Sequence, residues 1–190
     1  MPADAPVRPT AALPRPRIYL AGPDVFFRDA PRIFESLKAA CDRLGLIGVE
    51  PSDGGLADGF QGNDEALAQR IYEGNIALIR EADAVLANLQ DFRGHEPDSG
   101  TVFEVGFAVA LGKPVAAYGV GAGSYADRVS ALIPCEKDNT GISREKASGT
   151  MVEGLGQRLN LMLSRSTAIE ASAEAALARL AWMLGVGDPN

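Results

Sequence analysis

Along the chain, apolar positions fall either into short continuous runs or into longer stretches with helical spacing. Arg17-Ile-Tyr-Leu-Ala21 is a β-prone run closed by Gly22-Pro23, which predicts a strand and then a turn. From Pro31 onward Ile33, Phe34, Leu37, Ala40, Cys41 and Leu44 recur at helical spacing, and Gly45 stops them. Leu46-Ile-Gly-Val49 reads as a second strand and residues 51–62 as a loop rich in Gly and Asp. A helix is expected over 64–81, with Leu67, Ile71, Asn75, Leu78 and Ile79 on one face. Ala84-Val-Leu-Ala-Asn88 is a third strand, continuous in its apolar character as buried parallel strands are. Residues 99–111 predict a helix, Val115-Ala-Ala-Tyr118 a fourth strand and 124–133 a short helix. The polar stretch 136–149 reads as a mobile loop. A short apolar helix begins over 159–163, and 169–184 forms a last amphipathic helix with Ala, Leu and Trp182 inward.

Strands alternating with helices imply βαβ units, a parallel sheet and right-handed crossovers. The expected fold class is therefore α/β: a three-layer doubly wound parallel sheet, flavodoxin-like or Rossmann-like. Ligands in such sheets sit beyond the carboxyl ends of the strands. Function is accordingly expected in the loops after Leu20, Asn88 and Tyr118. No repeat and no linker divides the chain, so 17–190 reads as one domain behind a proline-rich, flexible arm over 1–16.

Composition narrows the partners. A net charge of −7 and a pI near 4.8 oppose a polyanionic nucleic acid, and no Lys/Arg-rich patch offsets them. A small, uncharged or weakly charged substrate fits better. No apolar run approaches membrane-spanning length, and the amino-terminal segment lacks the apolar stretch of a signal peptide. Cys41 and Cys135 match no metal or redox spacing and read as free thiols in a reducing cytoplasm. Gly119-Val-Gly-Ala-Gly123 lacks dinucleotide-loop spacing, and no Cys/His/carboxylate pattern suggests a metal, so no cofactor is expected.

The stretch over 99–111 is unusual. Val102, Phe103, Val105, Phe107, Ala108, Val109, Ala110 and Leu111 leave almost no polar face, so burial on most sides is expected. Gly100 and Gly106 weaken a helix and suggest close approach of another backbone or a ligand. Glu104 is the only charged residue between Asp98 and Lys113. A carboxylate in such surroundings is costly unless paired or used, and its place in the first turns favours the ionised form. Two readings fit: an ordinary helix residue facing water, or a desolvated, ionised nucleophile. Asp98 before Ser-Gly-Thr is a good N-cap, a role compatible with meeting a ligand at the mouth of a cleft.

Six segments carry a resemblance: Ile18-Tyr-Leu-Ala-Gly-Pro-Asp-Val-Phe26, Asn75 ahead of Asp83, Phe92-Arg-Gly-His-Glu-Pro-Asp98, Gly100-Thr-Val-Phe-Glu-Val-Gly106, Val152-Glu-Gly-Leu-Gly156 and Leu159-Asn-Leu-Met-Leu163. In order and spacing they resemble the nucleoside 2-deoxyribosyltransferase family, over nearly the whole chain from 17 to 184. The resemblance implies a retaining enzyme that moves 2-deoxyribose between nucleobases, with Glu104 as the nucleophile that forms a covalent deoxyribosyl ester. It implies that Tyr19 orients Glu104 and that Asp98 hydrogen-bonds or protonates the leaving base. It places Gly22, Phe26 (or Phe27) and Phe92 against the substrate, the aromatic ring stacking on the base. Asn75 stands where some members carry Asp; its amide can bond a base or sugar but is a poor acid, and on residue type alone it is a helix-surface amide. Asn160 would cross into a neighbouring subunit's site with Met162 beside it, so the site would be complete only in a homo-oligomer, at least a dimer. His95, in a polar loop, reads as solvated.

Two alternatives accompany this expectation. An N-glycoside hydrolase of deoxynucleosides or their monophosphates would let water replace the second base. A phosphate-binding cluster near Gly22 and Arg93 would favour it, whereas Asp24 would repel a phosphate. A non-catalytic nucleotide-binding protein shares the fold class, but the presence of Tyr19, Asp98, Glu104 and Asn160 together speaks against it.

Overall fold

Four of the apolar runs and one that the periodicity does not reveal form a single parallel sheet. In the computed structural model, which describes residues 14–54 and 60–186, the strands are β1 (Arg17–Ala21), β2 (Ile47–Val49), β3 (Ala84–Asn88), β4 (Val115–Tyr118) and β7 (Ala168–Ile169). Most of the expected arm and the middle of the 51–62 loop lie outside the described residues. The strand order is β2-β1-β3-β4-β7, every pair parallel, which is the flavodoxin-like arrangement with its switch point beside β1 and β3.

Strand alternation divides the core in two. Ile18, Leu20, Ala84 and Leu86 pack with Phe34, Leu37 and Cys41 of α1 (Ala30–Arg43) and with Ala176, Leu177, Leu180 and Ala181 of α6 (Ala173–Met183). Tyr19, Ala21, Val85 and Ala87 point the other way. They pack with Ile79 of α2 (Asp64–Glu81), Val105 and Ala108 of α3 (Ser99–Ala110), and Leu163 of α5 (Leu161–Ser166). Side chains that prefer non-helical backbone start the helices: Asn63, Asp98, Asn160 and Ser172 each accept a bond from an early backbone amide. At α4 (Tyr125–Leu132), Ser124 and Asp127 form a reciprocal capping box.

The chain departs from the pattern in five places. Residues 136–149 hold an antiparallel hairpin, β5 (Cys135–Lys137) and β6 (Ser143–Glu145), instead of a plain loop. Asp138 builds its turn: Oδ1 accepts from the amides of Thr140 at 2.9 Å and Ile142 at 3.1 Å, and Arg144 Nε donates to Oδ2 at 2.7 Å. Residues 169–184 are not one helix, because Ala168 and Ile169 pair with Ala116 and Ala117 before Ser172 caps α6. Trp182 is 45% exposed, not inward. Leu177, Leu180 and Ala181 set the buried stripe, helical rotation carries position 182 off it, and the Arg179 guanidinium lies 4.4 Å over the ring. On α2 the buried residues are Ile76 and Ile79, while Ile71 stands exposed on the amino-terminal half. Helix α3 buries Thr101, Val105 and Ala108 only; Phe103 is 53% exposed, because one stripe faces the sheet and the chain leaves its outer flanks uncovered. Cys41 and Cys135 are free thiols, and no described helix is long and apolar enough to cross a membrane.

The register of α6 gives a direct contrast. Leu177→Ala should cost about 2–5 kcal/mol of unfolding free energy, and Trp182→Ala less than about 1 kcal/mol, both read from urea denaturation. Equal losses would contradict this packing.

Candidate active site

Tyr19, fully buried on β1, faces α3, and its hydroxyl donates to Glu104 Oε1 at 2.6 Å. At that length it lies within the range of a charge-assisted bond. Burial pushes the Glu104 carboxyl from 4.5 up to about 7; the Tyr19 bond works downward against it, and the nearby Asp98 charge adds to the rise. Its place in the first turns of α3 favours the ionised form, and desolvation works against that preference. Near neutral pH the group is divided between its two forms. The Tyr19 hydroxyl is driven far up, first by burial and then by Glu104, so it remains a donor over the working range.

Asp98 occupies the N-cap of α3. Its Oδ2 accepts from Thr101 N at 2.9 Å and Thr101 Oγ1 at 3.0 Å, and Oδ1 makes no hydrogen bond among the described residues. Gly22, just beyond β1, is buried where a Cβ would collide with the Asp24 carboxylate and with Asn88. Asp24 is only 4% exposed, and Asn88 Nδ2 donates to both of its oxygens, at 3.0 and 3.1 Å. Burial moves the Asp24 carboxyl upward, its largest influence, while the Asn88 bond lowers it. The expected repulsion of a phosphate by Asp24 therefore has no outward-facing charge behind it. Sequence reasoning passed over Asn88; the signal was a polar residue ending an otherwise apolar strand.

Phe26 and Phe92 stack at 5.6 Å between centroids with an interplanar angle of 22°, and Phe27 meets Phe92 edge-on at 6.4 Å. Phe26 is exposed and Phe27 half-buried. The Arg93 guanidinium lies 4.7 Å from the Phe92 centroid and 5.5 Å from that of Phe26. Arg93 has φ 54°, the one described residue other than glycine in the left-handed region. His95 is exposed in the same loop.

Asn75, half-buried on α2, has a buried Oδ1 with no hydrogen-bond partner among the described residues. Asn160 caps α5, accepting from Met162 N at 2.9 Å and donating to Glu153 Oε2 at 3.0 Å. Asn160 and Met162 line a groove of about 640 Å³ with Val102, Val105, Gly106 and Val109 of α3. Neither Tyr19 nor Glu104 lines it, since helical rotation puts Val102, Gly106 and Val109 on the flank away from Glu104. Among the described residues no group of three His, Cys, Asp or Glu side chains is placed to hold a metal.

Known proteins share this architecture and these segments. A family model described as nucleoside 2-deoxyribosyltransferase matches residues 18–162. An uncharacterized protein of Schizosaccharomyces pombe is 32% identical over 159 residues, spanning 77% of this chain and 74% of the yeast protein. A 2-deoxyribosyltransferase from Leishmania mexicana superposes with a TM-score of 0.67 at 28% identity, covering 88% of this chain and 97% of that one. A conserved protein from Enterococcus faecalis V583, 20% identical with a TM-score of 0.55, shares the fold over 89% of this chain and 99% of its own.

The half-buried Glu104 carboxyl makes stability depend on pH. Folded Glu104 holds its proton more tightly than the unfolded chain does. Its contribution is therefore full below 4.5 and is lost as pH rises toward about 7. Glu104→Gln, neutral throughout, should gain on wild type between about pH 4 and 8, by up to about 3 kcal/mol. Urea unfolding at both ends measures it, and a pH-independent difference would contradict the upward shift of the Glu104 carboxyl.

Proposed function

Because this chain belongs to the nucleoside 2-deoxyribosyltransferase family, we propose that it transfers 2-deoxyribose between nucleobases through a covalent ester on Glu104. The observation that carries the reading is the bond from buried Tyr19 to Glu104 Oε1 at 2.6 Å. That bond fixes one oxygen and favours the ionised form, which leaves Oε2 to attack the anomeric carbon. The glycosidic electron pair departs on the base nitrogen as the C–N bond breaks. Asp98, a short distance along α3 from Glu104, hydrogen-bonds or protonates that nitrogen. A second base then attacks the same carbon and releases Glu104, and two inversions give retention. A sugar without a 2-hydroxyl forms the oxocarbenium-like transition state more readily. Phe26 and Phe92 supply a flat apolar platform for a base, Gly22 leaves room for Asp24 and Asn88 beneath it, and the Asn75 Oδ1, unpartnered among the described residues, is the acceptor that a base or sugar would meet once it enters.

The same proposal includes a homo-oligomer. Met162 is 71% exposed beside Asn160 at a groove lined by apolar residues of α3, an arrangement suited to a neighbouring copy rather than to water. In that assembly Asn160 and Met162 serve the neighbour's sugar and base. Sedimentation should find a dimer or larger, and an active monomer would contradict this part.

One observation favours hydrolysis of deoxynucleoside monophosphates as a second reading. Asp24 turns its charge inward, and Arg93 forms no ion pair among the described residues, which leaves a cation at the aromatic platform for a phosphate.

A deoxynucleoside incubated with a different free base should yield the new deoxynucleoside. Release of free sugar alone, with every base tried, would replace transfer by hydrolysis. Glu104→Ala should lower turnover by about a thousandfold or more with folding intact. In wild type, kcat/KM should climb with pH and level off above about 7, since the ionised carboxylate is the reactive form. Tyr19→Phe removes the bond that lowers the Glu104 value, so the midpoint should move to higher pH; an unmoved or lowered midpoint would contradict the role of Tyr19.

A further inference from the structure

The β1 and β3 exit loops are joined twice, once at the base and once at the tip. At the base, Asn88 Nδ2 donates to both oxygens of Asp24 across the carboxyl edge of the sheet, at 3.0 and 3.1 Å, and both side chains are 4% exposed. Asn88 Oδ1 accepts from Gln90 N at 3.3 Å, so the same amide also fixes the start of its own loop. Space for this pair is built in on either side. A Cβ at Gly22 would strike Asp24 and Asn88, and one at Gly119, which has φ 80° at the end of β4, would strike Asn88 Oδ1. Two residues beyond Asp24, within the 3-10 turn Pro23–Phe26, stands Phe26; four beyond Asn88 stands Phe92, and the two rings stack at 5.6 Å.

A buried carboxylate is costly to keep where an apolar residue would pack. Nothing in the Tyr19–Glu104 chemistry uses Asp24, because strand alternation puts Asn88 on the opposite face of the sheet from Tyr19. We propose that the Asp24–Asn88 pair is a positioning brace: it sets the two loops at the spacing that holds Phe26 and Phe92 together as a nucleobase platform at the carboxyl edge of the sheet. Asp24 and Asn88 are positioning residues in this account, acting through the aromatic pair. The inference rests on the proposed base-exchange reaction for its consequence in turnover, and on the two-loop geometry alone for its consequence in structure.

The polarity of the pair supplies the test. In Asp24→Asn two amides face each other, and in Asn88→Asp two carboxylates do; the double swap Asp24→Asn/Asn88→Asp restores one donor and one acceptor, and an aspartate at 88 still accepts from Gln90 N. Amide hydrogen exchange over 89–97 and steady-state kinetics with a deoxynucleoside donor and adenine or cytosine acceptor are measured on all four proteins. Each single variant should speed exchange in the β3 loop and raise KM for the acceptor base about tenfold, with a smaller change in kcat, and the double swap should recover most of both. Unchanged exchange in a folded single variant, or a double swap no better than the singles, overturns the brace. Faster exchange with an unchanged KM in an active enzyme overturns its positioning role. If wild type shows no activity toward either base, the functional reading falls, and hydrogen exchange still decides the brace.

Discussion

The structure turns on one hydrogen bond that makes a half-buried carboxylate tolerable within an apolar helix. Glu104 sits in an almost wholly apolar helix, where an isolated negative charge would not persist, and desolvation, with the Asp98 charge adding to it, drives its carboxyl upward. The Tyr19 hydroxyl, itself inaccessible to water, returns part of that cost by donating at 2.6 Å. The outcome is a group poised near neutrality instead of at either extreme. A fully ionised, hydrated glutamate would be a weaker nucleophile, and a fully protonated one would be none at all. Both partners are held by regular elements, a central strand and a helix packed directly on it, so the distance between them is set by the core and not by a loop.

The sheet exploits both of its faces at the carboxyl edge. Odd positions of β1 carry Tyr19 toward α3 and the Glu104 carboxylate. Even positions of β1 and β3 lead into Gly22 and Asn88, and there a second buried polar pair ties the exit loops together. The switch point of the strand order lies between these same two strands, so the cleft, the charged group and the aromatic platform follow from one topological fact. The groove beside α3 is separate: Val102, Val105, Gly106 and Val109 line it, and Glu104 does not.

Much of this was legible in the residues. The continuous runs at 84–88 and 115–118 have the boundaries that the sheet uses, as does the helix at 64–81, because long or uniformly apolar segments have one satisfactory placement. What escaped was short or settled by tertiary contact. Ala168–Ile169 is too brief for any periodicity and is a strand only because β4 offers an open edge. The 136–149 hairpin depends on the turn chemistry of Asp138, which polarity alone conceals. Trp182 is large and aromatic, as core residues are, yet helix register and not side-chain size decides which residues of α6 are buried. Within the site, the oddness of Glu104 was readable, but its pairing with Tyr19 joins residues 85 apart in sequence, and only the segment resemblance linked them beforehand. The Asp24–Asn88 pair was unreadable, since each residue alone looks like ordinary turn and strand-end chemistry.

The central claim is that Glu104 becomes covalently bound to the sugar. The most direct measurement mixes the protein with a deoxynucleoside and no acceptor base, quenches with acid and maps the modified peptide by mass spectrometry. A single deoxyribosyl unit on the peptide bearing Glu104, lost again when a free base is added before the quench, is the predicted result. Sustained turnover with no adduct, or an adduct on another residue, would contradict the account.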